Sequence, residues 1–221
     1  ASNGRCVYSF CMCPGGFVVG ASSEKEGVVT NGMSQHSRNE RNANSALVVN
    51  LIKKDFLKYE RRPGDPLAGV AFQREIERNA FILGGCNYCA PVQRLEDFLS
   101  SRDSEVLGTI KPSYLPGFKL TSLEKSLPSE FIEAIKESLP IFAKRIPSFT
   151  YSDAILTGVE TRTSSPIRIP RDKFFESLNT KGLIPIGEGA GYAGGILSAG
   201  IDGIKAAEAL AQKIIKDYSY P

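Results

Sequence analysis

Gly182-Leu183-Ile184-Pro185-Ile186-Gly187-Glu188-Gly189-Ala190-Gly191-Tyr192-Ala193-Gly194-Gly195 is the stretch on which the reading of the fold turns. A short apolar run, Leu183 to Ile186, stops at Gly-Glu-Gly and leads into a glycine-rich loop, and a small-residue helix pattern follows from Ile196 to about Lys216. Bare N–H groups at a helix start, approached across glycines, suit a phosphate or a ring carbonyl. Close helix–sheet packing also uses glycine, and Gly200, Gly203 and Ala207 fit that role, but five glycines in the nine positions 187–195 exceed what packing needs. The expectation is a cofactor seat.

Gly189 to Gly194 fits G-x-G-x-x-G, and a complete dinucleotide-binding βαβ unit then needs a second strand ending in a ribose-binding carboxylate about 20 residues on. Here one helix and the tail Asp217-Tyr218-Ser219-Tyr220-Pro221 follow. The segment is therefore expected to be the closing strand and helix of a nucleotide-binding domain whose opening unit lies elsewhere. A start at Ala1 without Met is compatible with processing or with a piece of a longer protein.

With 221 residues, 42% of them hydrophobic, the chain is long enough for a substantial core and for one or two domains. The formal net charge of +3, from 27 basic and 24 acidic residues, is too small to imply nucleic acid or a membrane surface as partner. No apolar run approaches the roughly 20 residues that span a bilayer, and Ala1 to Phe10 lacks the order of a signal peptide. A cytoplasmic protein with five free thiols is expected, since an odd cysteine count argues against a disulfide framework.

Val7 to Phe10 and Phe17 to Ala21 flank Cys13-Pro14-Gly15-Gly16 and predict two strands joined by a tight connection. Val28-Val29-Thr30 and Ala46 to Leu51 predict further strands of a mostly antiparallel sheet, with the polar stretch Asn31 to Asn44 as a loop. After the breakers Arg61-Arg62-Pro63-Gly64-Asp65-Pro66, Leu67, Val70, Ala71, Ile76 and Ala80 share one helical face through about Asn79. A second helix is expected with Pro91 in its first turn and Val92, Leu95, Phe98 and Leu99 on one side. A third starts near Pro128, with Phe131, Ile132, Ile135 and Leu139 inward and Pro140 ending or kinking it. Gly108 to Lys119 reads as an irregular link, Ile155 to Arg162 and Ile167 to Ile169 as strands, and Leu183 to Ile186 as the last strand.

The predicted class is α+β: a mostly antiparallel sheet, a helical insertion, and a C-terminal strand-loop-helix. The boundaries are 1–66 for the first β-rich part, 67–146 for the insertion, 147–181 for the second β-rich part and 182–221 for the strand-loop-helix.

Cys11-Met12-Cys13 and Cys86-Asn87-Tyr88-Cys89 bring four thiols into two short motifs, and C-x-x-C is a zinc or iron–sulfur spacing. C-x-C is less usual and free cysteine is commonly a small buried hydrophobe, so no metal is assigned. Two alternatives stay open, a non-enzymatic nucleotide- or anion-binding module and a cysteine-based metal-binding interaction domain.

Five segments together carry a resemblance: Arg5-Cys6-Val7-Tyr8-Ser9-Phe10-Cys11-Met12-Cys13-Pro14-Gly15-Gly16, Thr30-Asn31-Gly32-Met33-Ser34, Asn42-Ala43-Asn44-Ser45-Ala46, Gly158-Val159-Glu160-Thr161-Arg162-Thr163-Ser164-Ser165-Pro166, and Gly187 to Gly195. In this order the chain resembles the C-terminal portion of the bacterial FAD-dependent dehydrogenases described as NAD(FAD)-utilising. The resemblance implies a flavin domain interrupted by a substrate-side sheet and helices, with FAD as cofactor of the parent protein. Its N-terminal dinucleotide-binding motif has no counterpart before Gly187, so the partners implied are a small-molecule substrate and the FAD-binding segment of the same protein.

By the same resemblance, Gly187, Glu188 and Gly189 correspond to a late FAD motif, and Gly194, Gly195 and Ile196 to the helix start facing the flavin ring. His36, Arg38, Asn42 and Asn44 then fall on the substrate side, with Arg162 a second candidate. His36, Arg38 and Arg162 are the catalytic candidates, because histidine moves protons near neutral pH and arginine clamps a carboxylate or phosphate through two parallel bonds. For Arg162 a surface ion pair with Glu160 or a neighbour is an equal alternative. The parent protein is expected to transfer hydride between an organic substrate and FAD, and the chain alone to be inactive.

Overall fold

Val7–Gly20 forms one fourteen-residue strand, β1. This corrects the expected pair of strands, because Pro14-Gly15-Gly16 does not turn the chain back on itself. β1 pairs antiparallel with β3 (Asn42–Val49) through its first half and with β2 (Thr30–Met33) through its second, giving the order β2-β1-β3. The register against β3 slips twice, between Phe10 and Cys13 and between Cys13 and Gly16. Cys11 and Gly15 take positive φ there, as bulged strands do. The polar stretch expected as a loop from Asn31 to Asn44 shrinks accordingly, since Asn31 to Met33 lie in β2 and Asn42 to Asn44 in β3. Val28 and Val29 are buried just ahead of β2.

The computed structural model describes residues 1–218, with side chains through Lys216. Ser219, Tyr220 and Pro221, part of the tail considered above, lie outside the described residues. The chain divides into two compact units: Ala1–Leu57 with Phe72–Thr161, and Lys58–Ala71 with Arg162–Pro221. Short helix α1 (Lys53–Phe56) closes the first segment.

α2 spans Ala68–Gly84, longer than expected. Its buried face is Phe72, Ile76, Ala80 and Phe81, whereas Leu67 and Ala71 are exposed and drop out of the predicted stripe. The helix expected from Pro91 is a strand followed by one turn: β4 (Ala90–Arg94) and α3 (Leu95–Leu99). Proline at a first helical turn and proline in a strand look alike locally, and here β4 is paired on both sides. β5 (Phe118–Leu120) runs parallel to it and β6 (Ile155–Thr157) antiparallel, giving a second sheet β5-β4-β6. β6 stops at Thr157, so the expected strand to Arg162 is cut short. Gly158 N–H makes one further bond to the Pro91 carbonyl, and Ile167 to Ile169 form no strand.

α4 (Ser129–Ala143) passes through Pro140 instead of ending there. Only one helical bond is forfeited so near its end, and Phe142 beyond it packs edge-on to Phe149 at 5.5 Å. Ile132, Ile135 and Leu139 join Leu95, Phe98 and Leu123 in the core, against which Val7, Leu47, Val49 and Leu156 pack. Each fully buried side chain of this kind contributes about 1.5–3 kcal/mol. Gln93 is wholly buried in β4 yet satisfied at both ends, donating to the Arg102 carbonyl at 2.6 Å and accepting from Leu123 N–H at 2.9 Å. It fixes the Leu123 turn to the second sheet.

In the second unit the long helix appears as expected, α5 at Ile196–Tyr218. Leu183 to Ile186 is not a strand. Pro185 has no N–H to give a ladder, and the Leu183 carbonyl instead accepts from Ser177 N–H at 2.8 Å. The α+β class stands: two sheets with helices between and after them.

Candidate functional site

Four of the sequence segments singled out above meet within the first unit. Thr30 N–H donates to the Val159 carbonyl at 2.8 Å, tying the Thr30–Ser34 segment to the Gly158–Glu160 segment. Gly16 lies so close to the Met33 carbonyl, and Gly15 to the Arg38 carbonyl, that a Cβ at either would overlap it. Gly32 and Asn44 meet in the same way, with the Asn44 Oδ1 standing where a Gly32 side chain would begin. These segments border a cavity of about 530 Å³, within the usual size of a small-molecule site. Leu47, Leu127, Phe149 and Leu156 give its wall an apolar side, and Thr30, Asn31, Asn42, Asn44 and Glu160 a polar one.

Two of the polar groups are anomalous. Both amide atoms of Asn44 are buried without a hydrogen-bond partner, a condition that costs about 1–3 kcal/mol per group. Glu160 is half-buried, and burial pushes its carboxyl up from its ordinary value; among the described residues no hydrogen bond or ion pair offsets that. A carboxyl so placed can hold a proton closer to neutrality than a surface glutamate does. At the wall of a cavity, groups of this kind could take hydrogen bonds from a small molecule.

Asn42 and Asn44, read from sequence as substrate-side residues, line the cavity. His36 and Arg38 are exposed in the loop between β2 and β3 and lie outside its lining. Arg38 has positive φ, and its N–H donates to the Gln35 carbonyl at 3.1 Å. Arg162 opens the second unit's long segment and is half-buried. Glu160 was visible in the sequence only as a partner for Arg162; its sign as a site residue was a lone carboxylate following the buried Val159 in a β-like run.

In the second unit the glycine loop is anchored from beneath. Asp202 on α5 accepts from Gly187 N–H at 2.8 Å and from both Arg171 amino groups at 2.6 and 2.9 Å. The Arg171 guanidinium holds the Asp202 carboxyl down to about 2. Arg171 also lies over the Tyr192 ring at 3.6 Å, and Tyr192 donates to the Ile169 carbonyl at 3.0 Å. Gly191, at φ +82, sits where a Cβ would overlap the Ile167 carbonyl. Gly187 and Gly191 are thus committed to the loop's own geometry.

Other groups of this loop stay open. Ala199 N–H bonds to the Gly195 carbonyl, and the N–H groups of Ile196, Leu197 and Ser198 before it have no acceptor among the described residues. Glu188 is half-buried; its carbonyl accepts from Gly191 N–H at 2.9 Å, while its carboxylate has no hydrogen-bond or ion-pair partner among them. Nothing lies within 4 Å of a Cβ placed on Gly189, and Gly194 and Gly195 meet only serine hydroxyls at 3.7 and 3.6 Å. Among the described residues none of the five cysteines is in a disulfide, no group of three or more His, Cys, Asp or Glu is close enough to hold a metal ion, and no helix is long and apolar enough to cross a membrane.

Residues 1–163 match the family model described as "FAD-dependent protein, C-terminal domain-like". An uncharacterized protein of Clostridium beijerinckii is 52% identical over 209 residues, which cover 95% of this chain and 38% of that protein. The chain thus spans well under half the length of this relative.

Two outcomes follow from the geometry of the first unit. Gly32→Ala should lower stability by about 1–3 kcal/mol in urea titration, as overpacking does. In an Asn44→Ala background that loss should largely disappear; an equal loss in both backgrounds would mean that the two residues are not in contact. Glu160→Gln should raise Tm at neutral pH. Because the folded-state value of this carboxyl is the higher one, its stabilising influence is complete below the ordinary 4.5 and is lost as pH rises through the folded value. The Tm difference should therefore shrink as pH falls toward 4.5, and a pH-independent difference would refute the assignment.

Proposed function

The chain belongs to the family of FAD-dependent protein C-terminal-like domains, and from that premise we propose that it is the substrate-side part of a flavin-dependent oxidoreductase, a dehydrogenase that moves hydride between an organic substrate and FAD. The observation that carries this proposal is the meeting of four sequence segments around one cavity with a desolvated carboxyl in its wall.

The second unit fits the cofactor at defined groups. The open N–H groups of Ile196, Leu197 and Ser198 begin a 23-residue helix, whose positive end favours an electron-rich ring edge or a phosphate. The Glu188 carboxylate, without a partner among the described residues, would accept hydrogen bonds from ribitol or ribose hydroxyls, and Gly189, Gly194 and Gly195 leave the backbone open to close approach. When bound, FAD supplies acceptance and return of hydride. Gly187 serves this seat indirectly, through its bond to Asp202.

The chain's own residues do the rest. The apolar wall excludes water, Asn42 and Asn44 orient a polar substituent, and Glu160 takes or returns the proton that accompanies hydride transfer. His36, Arg38 and Arg162 enter as candidates for binding groups that lie outside the cavity, Arg162 by clamping an anion.

The parent protein's FAD-binding segment is the proposed partner of α5. Ile196 and Leu197 are 87% and 82% exposed, and Ile201, Ile204 and Ile215 continue an exposed apolar set along the helix. An exposed apolar surface of this kind suits an interaction site.

Purifying the longer protein beside the 221-residue chain tests the proposal. The longer protein should carry flavin absorbance as isolated or gain it on adding FAD, while the chain alone binds at least about 100-fold more weakly for want of the adenosine and pyrophosphate contacts, a loss of about 2.7 kcal/mol or more. A longer protein that stays colourless with excess FAD would overturn it.

A further inference from the structure

The first unit's cavity has an unequal distribution of charge. Arg41, Lys111 and Glu160 are the charged residues of its lining among the described residues. Arg41 and Lys111 are exposed, so water already solvates them and an anion would gain little from them. Glu160 is half-buried, without a hydrogen-bond or ion-pair partner among the described residues. A carboxylate in that setting gains most from a cation that brings its own N–H donors. Phe149 and Tyr151 are also among the lining residues, and aromatic side chains can attract an ammonium group. Leu47, Leu127 and Leu156 offer an apolar bed.

We propose that this cavity binds an organic ammonium ion, its nitrogen on Glu160 and its hydrocarbon or aromatic body against Leu47, Phe149 and Leu156. As the substrate class of the oxidoreductase this rests on the flavin proposal above; as a binding property of the chain it does not.

The chemistry balances. The ammonium N–H bond breaks and its proton passes to the Glu160 carboxylate, leaving a neutral amine. FAD, when bound in the longer protein, would supply the two-electron oxidant: the C–H bond on the adjacent carbon breaks and its hydrogen departs with the electron pair as hydride. The nitrogen lone pair forms the C=N bond of an iminium product, so the amine is oxidised by two electrons. Burial of Glu160 suits it to hold that proton, since its carboxyl is already pushed up from the ordinary value.

Calorimetric titration of the 221-residue chain, without flavin, tests this with matched probes: benzylammonium against benzyl alcohol, and hexylammonium against hexan-1-ol. Each ammonium should bind at least about tenfold more tightly than its alcohol, and Glu160→Gln should abolish the preference while circular dichroism stays unchanged. Equal or tighter binding of the alcohols, or an undiminished preference in Glu160→Gln, would overturn the proposal. Should Glu160→Gln not fold, the comparison of ammonium with alcohol on the parent chain decides alone. Amine binding in a protein that never takes up FAD would sink the flavin proposal and spare this one, and the reverse pattern would do the opposite.

Discussion

The first unit is organised around a backbone hydrogen bond from Thr30 N–H to the Val159 carbonyl at 2.8 Å. It joins the start of β2 to the segment just beyond β6, and so joins the two sheets. Thr30 and Val159 are both buried, where an unpaired amide or carbonyl would cost more than the bond itself contributes. Because the bond uses main-chain atoms alone, it fixes position without dictating side chains. The polar and apolar sides of the cavity then follow from which residues flank it: Asn31 and Gly32 after Thr30, Glu160 after Val159.

That arrangement requires β1 to bend and its neighbours to close in on it. Gly15, Gly16 and Gly32 make this possible by having no Cβ, each against a carbonyl or amide oxygen that a side chain would displace. The consequence reaches Asn44. Its amide is pressed against Gly32 with both polar atoms unpaired, an arrangement that a sequence selected for stability alone would discard. Glu160 is a second such cost in the same wall. Two uncompensated polar groups thus stand at one cavity, where each costs stability.

Legibility in the sequence followed the range of the physics. α4 and α5 were readable because their apolar or small residues recur at helical spacing, a local property. β1 was not, because Pro14-Gly15-Gly16 has the chemistry of a tight turn, and bulges use the same positive-φ residues. Pro91 was misplaced for a similar reason, its fixed φ suiting either a helix start or a strand. The polar stretch between β2 and β3 stands out in the sequence, but polarity does not distinguish an exposed loop holding His36 and Arg38 from strand positions at a cavity holding Asn42 and Asn44. Glu160 acquires its character from burial by residues distant in sequence, which no local pattern records.

The second unit shows the same principle at a loop. Asp202 and Arg171 hold Gly187 from below, Gly191 packs on the Ile167 carbonyl, and Gly189, Gly194 and Gly195 remain uncommitted. The two units thus carry the two halves of one proposed task, a chamber with a proton-holding carboxyl and a seat for an electron-rich ring. The central claim is that the chamber is held as a built structure by the bond between Thr30 and Val159. Native-state amide hydrogen exchange at Thr30 tests it most directly. Exchange as slow as that of Val92 in the centre of the second sheet is the result expected; exchange as fast as that of the exposed Gln35 in the following loop would contradict it.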